Sequence, residues 1–123
     1  MEHWRSEPDE HDYPAAREYL SLVLTPSVAD RTVDCLRRAE LATYKAKDLL
    51  RASGLALLPS DDPHVAADLA KVKKGHHLSP VLLVRGQLGA YALVVADGYH
   101  RICASYHLDE NAEIPGRIAN VPR

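Results

Sequence analysis

Val94-Val95-Ala96-Asp97-Gly98-Tyr99-His100-Arg101-Ile102-Cys103-Ala104 is the stretch whose reading decides the architecture of this chain. Its opening is apolar and β-branched, as a buried strand requires, and after Gly98 the composition turns helical. A strand therefore passes into a helix through a single glycine. At such a junction the first helical amides lack carbonyl partners, carry partial positive charge and form a ready anion site. Gly98 permits the sharp turn and the close approach of a ligand. His100 and Arg101 fall in the first turn, where the helix dipole opposes cations; an anion held between them removes that conflict, and Arg can bind it bidentately. The structural alternative is that Asp97 caps the helix and pairs with Arg101 four residues on. Spacing leaves both readings open.

Working outward, Val81-Leu82-Leu83-Val84 is a buried strand, Gly86-Gln87-Leu88-Gly89 a reversal, and Tyr91 to Val95 the partner strand. Leu55-Ala56-Leu57-Leu58, ended by Pro59, suits another strand. Ser60-Asp61-Asp62-Pro63 is helix-entry chemistry, and Val65, Leu69 and Val72 stripe a helix that stops at Gly75. Tyr99 to Leu108 is helical, and Ile114 to Val121 is a strand interrupted by Pro115-Gly116. The second half thus reads β-α-β-β-α-β, an α/β unit with a mixed sheet.

The first half has a different texture. Residues 1–14 carry five carboxylates and two prolines and read as a flexible or peripherally docked tail. Residues 15–53 read as a helical extension: a short helix from Ala15 to Leu24, a second started by Thr25-Pro26 with Val28, Val33 and Leu36 inward, and a third over Thr43 to Ser53 closed by Gly54. The expected division is a tail at 1–14, a helical extension at 15–53 and an α/β core at 54–123.

Composition narrows the functional classes. The chain has 123 residues, enough for one domain, with 15 Lys and Arg against 17 Asp and Glu and a formal net charge of −2. That balance argues against DNA as a partner, since affinity for phosphate backbones needs clustered cations. No stretch is long and apolar enough to cross a membrane. The acidic N-terminus does not read as a secretory signal, and two cysteines do not make a disulfide framework, so a cytoplasmic protein is expected.

Gly98-Tyr99-His100-Arg101-Ile102-Cys103-Ala104 resembles the Gly-x-x-Arg-x-x-Ala box of the ParB N-terminal domain and, equally, the Gly-Cys-His-Arg box of sulfiredoxin. The two belong to one superfamily. Leu57-Leu58-Pro59, the following helix, Leu78-Ser79-Pro80-Val81, the glycine box and Ile114-Pro115 stand in that superfamily's order, over about residues 55–121. The resemblance implies an α/β (α+β) ParB/sulfiredoxin-like mixed sheet, here preceded by an added N-terminal helical segment. It also implies a phosphate site for ATP, ADP or CTP, with magnesium as companion ion. Gly98, Tyr99, His100 and Arg101 would bind the nucleotide, with His64 and Lys71 as weaker candidates on the helix opposite and Asp97 as a weak catalytic candidate.

Two departures bear on activity. Tyr99 stands where sulfiredoxin has its catalytic cysteine, and a phenol cannot perform thiol chemistry, so sulfiredoxin activity is not expected. The partition-protein box has Glu and Arg where this chain has Tyr99 and His100, and no helix-turn-helix segment follows. Relatives of the fold include kinases of free serine, which leaves a small-molecule kinase or nucleotide hydrolase open; no carboxylate cluster suits a two-metal nuclease. A non-catalytic interaction module, with the N-terminal helices forming a homodimer, is the alternative of another class. His100, Cys103 and His107 share a helix side, with His76-His77 on a loop, but they lack a convincing fourth ligand, and no structural metal is expected.

Overall fold

The computed structural model describes residues 3–122. Its elements run α1 (Asp12–Leu20), α2 (Pro26–Arg38), β1 (Leu41–Lys45), α3 (Ala46–Ser53), α4 (Pro63–Lys73), β2 (Val81–Val84), β3 (Val94–Asp97), α5 (Tyr99–Leu108) and β4 (Glu113–Ala119). The four strands form one mixed sheet in the order β1-β4-β2-β3. β4 is parallel to β2 and antiparallel to β1, and β2 is antiparallel to β3. The mixed α+β class expected from the second half is what the fold has.

Strand β2 explains the layering. All four of its side chains are buried, which follows from an unbroken apolar run with helices on both sides. Val81 and Leu83 enter one core with Leu49, Leu50, Val65, Ile102 and Cys103, from α3, α4 and α5. Leu82 and Val84 enter a second core with Tyr13, Ala16, Leu20, Ala29, Val33 and Leu36, from α1 and α2. The two-residue strand period thus divides one run between two cores, and each fully buried Leu or Val contributes about 1.5–3 kcal/mol.

This corrects the expected division at residue 53. The N-terminal helices are not an addition to a finished unit; they cover one face of its sheet, and β1 supplies an edge strand. The predicted helix over Thr43 to Ser53 begins only at Ala46, because Leu41–Lys45 is drawn into register with β4, Thr43 opposite Pro115. Of the two readings of the tail, the flexible one is corrected: the segment is docked. Trp4 is buried and bridges Leu78, Arg5 N–H donates to the Leu78 carbonyl at 2.8 Å, and α1 begins at Asp12, itself buried. Met1 and Glu2 lie outside the described residues.

The predicted strand Leu55–Leu58 does not form. That segment runs along α5 instead, held by the Tyr99 phenol donating to the Ala56 carbonyl and by His107 Nε2 to the Leu58 carbonyl at 2.7 Å. The partner strand predicted over Tyr91 to Val95 starts three residues later, at Val94; residues 85–93 form an overhanging loop pinned by Leu93 N–H to the Ala52 carbonyl at 3.1 Å. The last strand spans Glu113–Ala119 straight through Pro115-Gly116. Pro115 is tolerated because β2 joins β4 only from Gly116 onward. A Cβ at Gly116 would meet Val81 Cγ2 at 2.9 Å, so glycine lets the two strands close. No helix among the described residues is long and apolar enough to cross a membrane.

Candidate functional site

Gly98 stands between β3 and α5 with φ +110°, a conformation that favours glycine. What approaches it is the protein itself: a Cβ there would meet Val81 Cγ1 at 2.5 Å and the Arg101 guanidinium at 2.9 Å. Asp97 does not cap α5, since no side chain among the described residues bonds its first amides, and that half of the structural alternative is corrected. The other half is present. Arg101 Nη2 donates to Asp97 Oδ2 at 2.7 Å.

Arg101 has a second carboxylate, from a part of the chain that sequence reading set aside as tail. Its Nη1 lies 3.5 Å from Asp12 Oδ2. Ser79 Oγ donates to the same Asp12 oxygen at 2.5 Å, and the Asp9 amide donates to Ser79 Oγ at 2.8 Å. His11 reaches Asp9 at 2.6 Å and Asp12 at 3.5 Å. The N-terminal arm, the loop before β2, the end of β3 and the start of α5 are thereby tied into one polar network. Burial pushes the Asp97 carboxyl above its ordinary range and neighbouring Asp12 adds to this, against the opposing pull of Arg101.

A cavity of about 310 Å³ opens beside this network. Gly98, Tyr99, His100, Arg101 and Lys71, all expected at the site, line it together with Asp97. His64 does not. It sits in the first turn of α4 with its ring centroid 4.7 Å from that of His100, so a direct place for it in the phosphate cavity is corrected. Arg5, Asp9, His11 and Asp12 from the arm, Asp68 from α4, and His77, Leu78 and Ser79 complete the wall. The signal available for the arm was Trp4, one large apolar anchor in a polar stretch.

The cavity's fixed charges come in pairs. Arg5 meets Asp9 at 2.8 Å, Lys71 meets Asp68 at 3.8 Å, and Arg101 meets both Asp97 and Asp12. An entering anion must therefore exchange with a carboxylate or draw on the histidines His11, His77 and His100 of the wall. Asp12, at 3.5 Å, is the looser partner of Arg101 and the one an anionic oxygen can replace. Arg101 Nε is buried with no partner among the described residues.

No three His, Cys, Asp or Glu side chains among the described residues converge as metal ligands, and the Asp12 and Asp97 carboxylates both face Arg101. Cys103 is fully buried, and burial raises its thiol pKa, so it packs as a small apolar residue. A larger groove of about 900 Å³ lies under the 85–93 loop, bordered by Tyr44, Leu49, Leu83 and Ile118, and does not touch the Gly98 turn. No family model matches the chain, and neither does any curated protein or solved structure.

Proposed function

We propose that this chain is a cytoplasmic ParB/sulfiredoxin-like domain that binds the phosphate of a nucleotide, or of another phosphorylated small molecule, in the cavity at Asp97–Arg101. One observation carries the reading. The uncapped start of α5 lines a cavity that Arg5, Lys71, His77 and His100 also line, so backbone and side-chain donors border one small space. In this reading the anion takes the place of Asp12 at Arg101, while Asp97 keeps the guanidinium oriented. The order α4, β2, β3, glycine turn, α5, β4 supports the superfamily assignment.

Binding is better supported than phosphoryl transfer. A kinase needs a group to take the acceptor's proton and usually carboxylates for a metal ion. Asp97 already accepts from Arg101.

The test is thermal shift and calorimetry with ATP, ADP, CTP and GTP, with and without magnesium, on wild type, Lys71→Ala and His100→Ala. A ligand at a hundredfold excess over its Kd stabilises by about 2.7 kcal/mol, and both variants should lose most of that shift. No shift with any nucleotide would overturn the proposal. Arg101→Ala is a poor probe, because it leaves Asp97 and Asp12 without their cation.

A second reading, an interaction module, is favoured by one surface. Tyr19, Leu22 and Val23 at the end of α1 are exposed, and Tyr19 and Val23 line a groove with Tyr91 and Val95. A dimer by light scattering that Leu22→Glu dissociates would support it.

A further inference from the structure

We propose that the base of the bound nucleotide lies outside the cavity, stacked on the exposed imidazole of His64; the inference rests on the phosphate reading above. At about 310 Å³ the cavity is at the small end of ligand sites, and its wall is almost entirely charged or polar. Leu78 and the ring of Tyr99 are its main apolar surfaces, so it offers phosphates a place and a flat heterocycle none.

The aromatic surface lies at its border. His100 is common to both regions: it lines the cavity, and its ring stands 4.7 Å from His64 at 41° and 5.6 Å from Tyr99 at 37°. His100 stands between Tyr99, also in the cavity wall, and His64, outside it, so the three rings form a stepped ledge that leaves the cavity at His64. Its ends are anchored. The Tyr99 phenol donates to the Ala56 carbonyl, and Asp62 accepts from the His64 and Val65 amides at 3.1 Å each, fixing the first turn of α4. His64 is exposed whereas His100 is half-buried, so His64 is the ring with a face to offer. A ribose joins a phosphate at His100 to a base at His64 across one such step. Stacking accepts any base, since each has a π-face, so the ledge favours larger rings without reading hydrogen-bond edges.

The experiment compares ADP with inorganic pyrophosphate by calorimetry, on wild type, His64→Ala and His64→Phe. A stacked base adds at least about fivefold in affinity. Wild type should bind ADP at least about fivefold tighter than pyrophosphate. His64→Ala should bring ADP down to the pyrophosphate level and leave pyrophosphate unchanged, and His64→Phe should restore ADP. Equal affinity of wild type for the two ligands, or an equal loss for both in His64→Ala, overturns the ledge while the phosphate site stands. Binding of neither overturns both.

Discussion

Arg101 reaches back one helical turn, across the strand–helix junction, to Asp97, its Nη2 2.7 Å from Asp97 Oδ2. The contact closes over Gly98 and makes the turn a unit of three residues. With 16% of its side chain exposed, Arg101 is sheltered enough for the pair to matter and open enough to lessen its worth. Arg101→Ala should destabilise the fold by about 3 kcal/mol, the low end for breaking a buried pair. Urea denaturation checks this, and Arg101→Ala combined with Asp97→Asn should recover part of the loss. A single variant as stable as wild type would mean that the network holds nothing together.

The pH profile of stability should carry the signature of Asp97. Its folded pKa lies above the ordinary carboxylate value near 3.8, chiefly through burial. The folded state thus holds the proton more tightly than the unfolded chain. This group's favourable contribution is complete below about pH 3.8 and is lost as pH rises through the raised folded value. Against wild type, Asp97→Asn should therefore gain in relative stability from acid toward neutral pH. Urea midpoints taken between pH 3 and 7 test it; parallel profiles for the two proteins would contradict the shift.

Gly98→Ala combines two penalties. The φ of +110° strains any residue with a Cβ, and the methyl group meets Val81 Cγ1 at 2.5 Å. Strain of this kind costs about 1–3 kcal/mol before the clash is added. A fall in Tm is expected, together with loss of nucleotide binding, because Arg101 and the first amides of α5 shift with the turn. Unchanged Tm would place the turn's conformation in doubt.

Trp4 gives the arm a direct readout, since it is the chain's one tryptophan and is 7% exposed. Native emission should be blue-shifted and should move red in urea together with the loss of far-ultraviolet circular dichroism. Trp4→Ala should cost about 3–5 kcal/mol, as for a large aromatic removed from a core. Red-shifted emission from the native protein would show the arm undocked.

The junction was legible because its signals are local. An apolar run, one glycine and a helical composition place β3, Gly98 and α5 without help from the rest of the chain. β2 was legible for the same reason, four apolar residues between turn chemistries. What escaped was decided at a distance. Leu41–Lys45 has a helical neighbour and no strong strand pattern; it becomes a strand because β4 offers an edge. Leu55–Leu58 has the strand pattern but lies along α5, where Tyr99 and His107 take its carbonyls. Arg5, Asp9, His11 and Asp12 escaped because an acidic, proline-bearing N-terminus reads as solvated, and Asp12 is recognisable as a site residue only once Ser79 and Arg101 are seen on either side of it.

The position of β4 between β1 and β2 bears on how the molecule is made. The last of the four strands in chain order is the one that joins an early strand to a middle one, so the full sheet cannot be assembled before that strand is available. Until Glu113–Ala119 emerges, β1 has no ladder and β2 lacks one neighbour. Such distant pairings slow folding, because the intervening loop must be closed before any contact rewards it. Cleavage between α3 and α4 would leave a front piece without its sheet and a back piece with one face stripped bare.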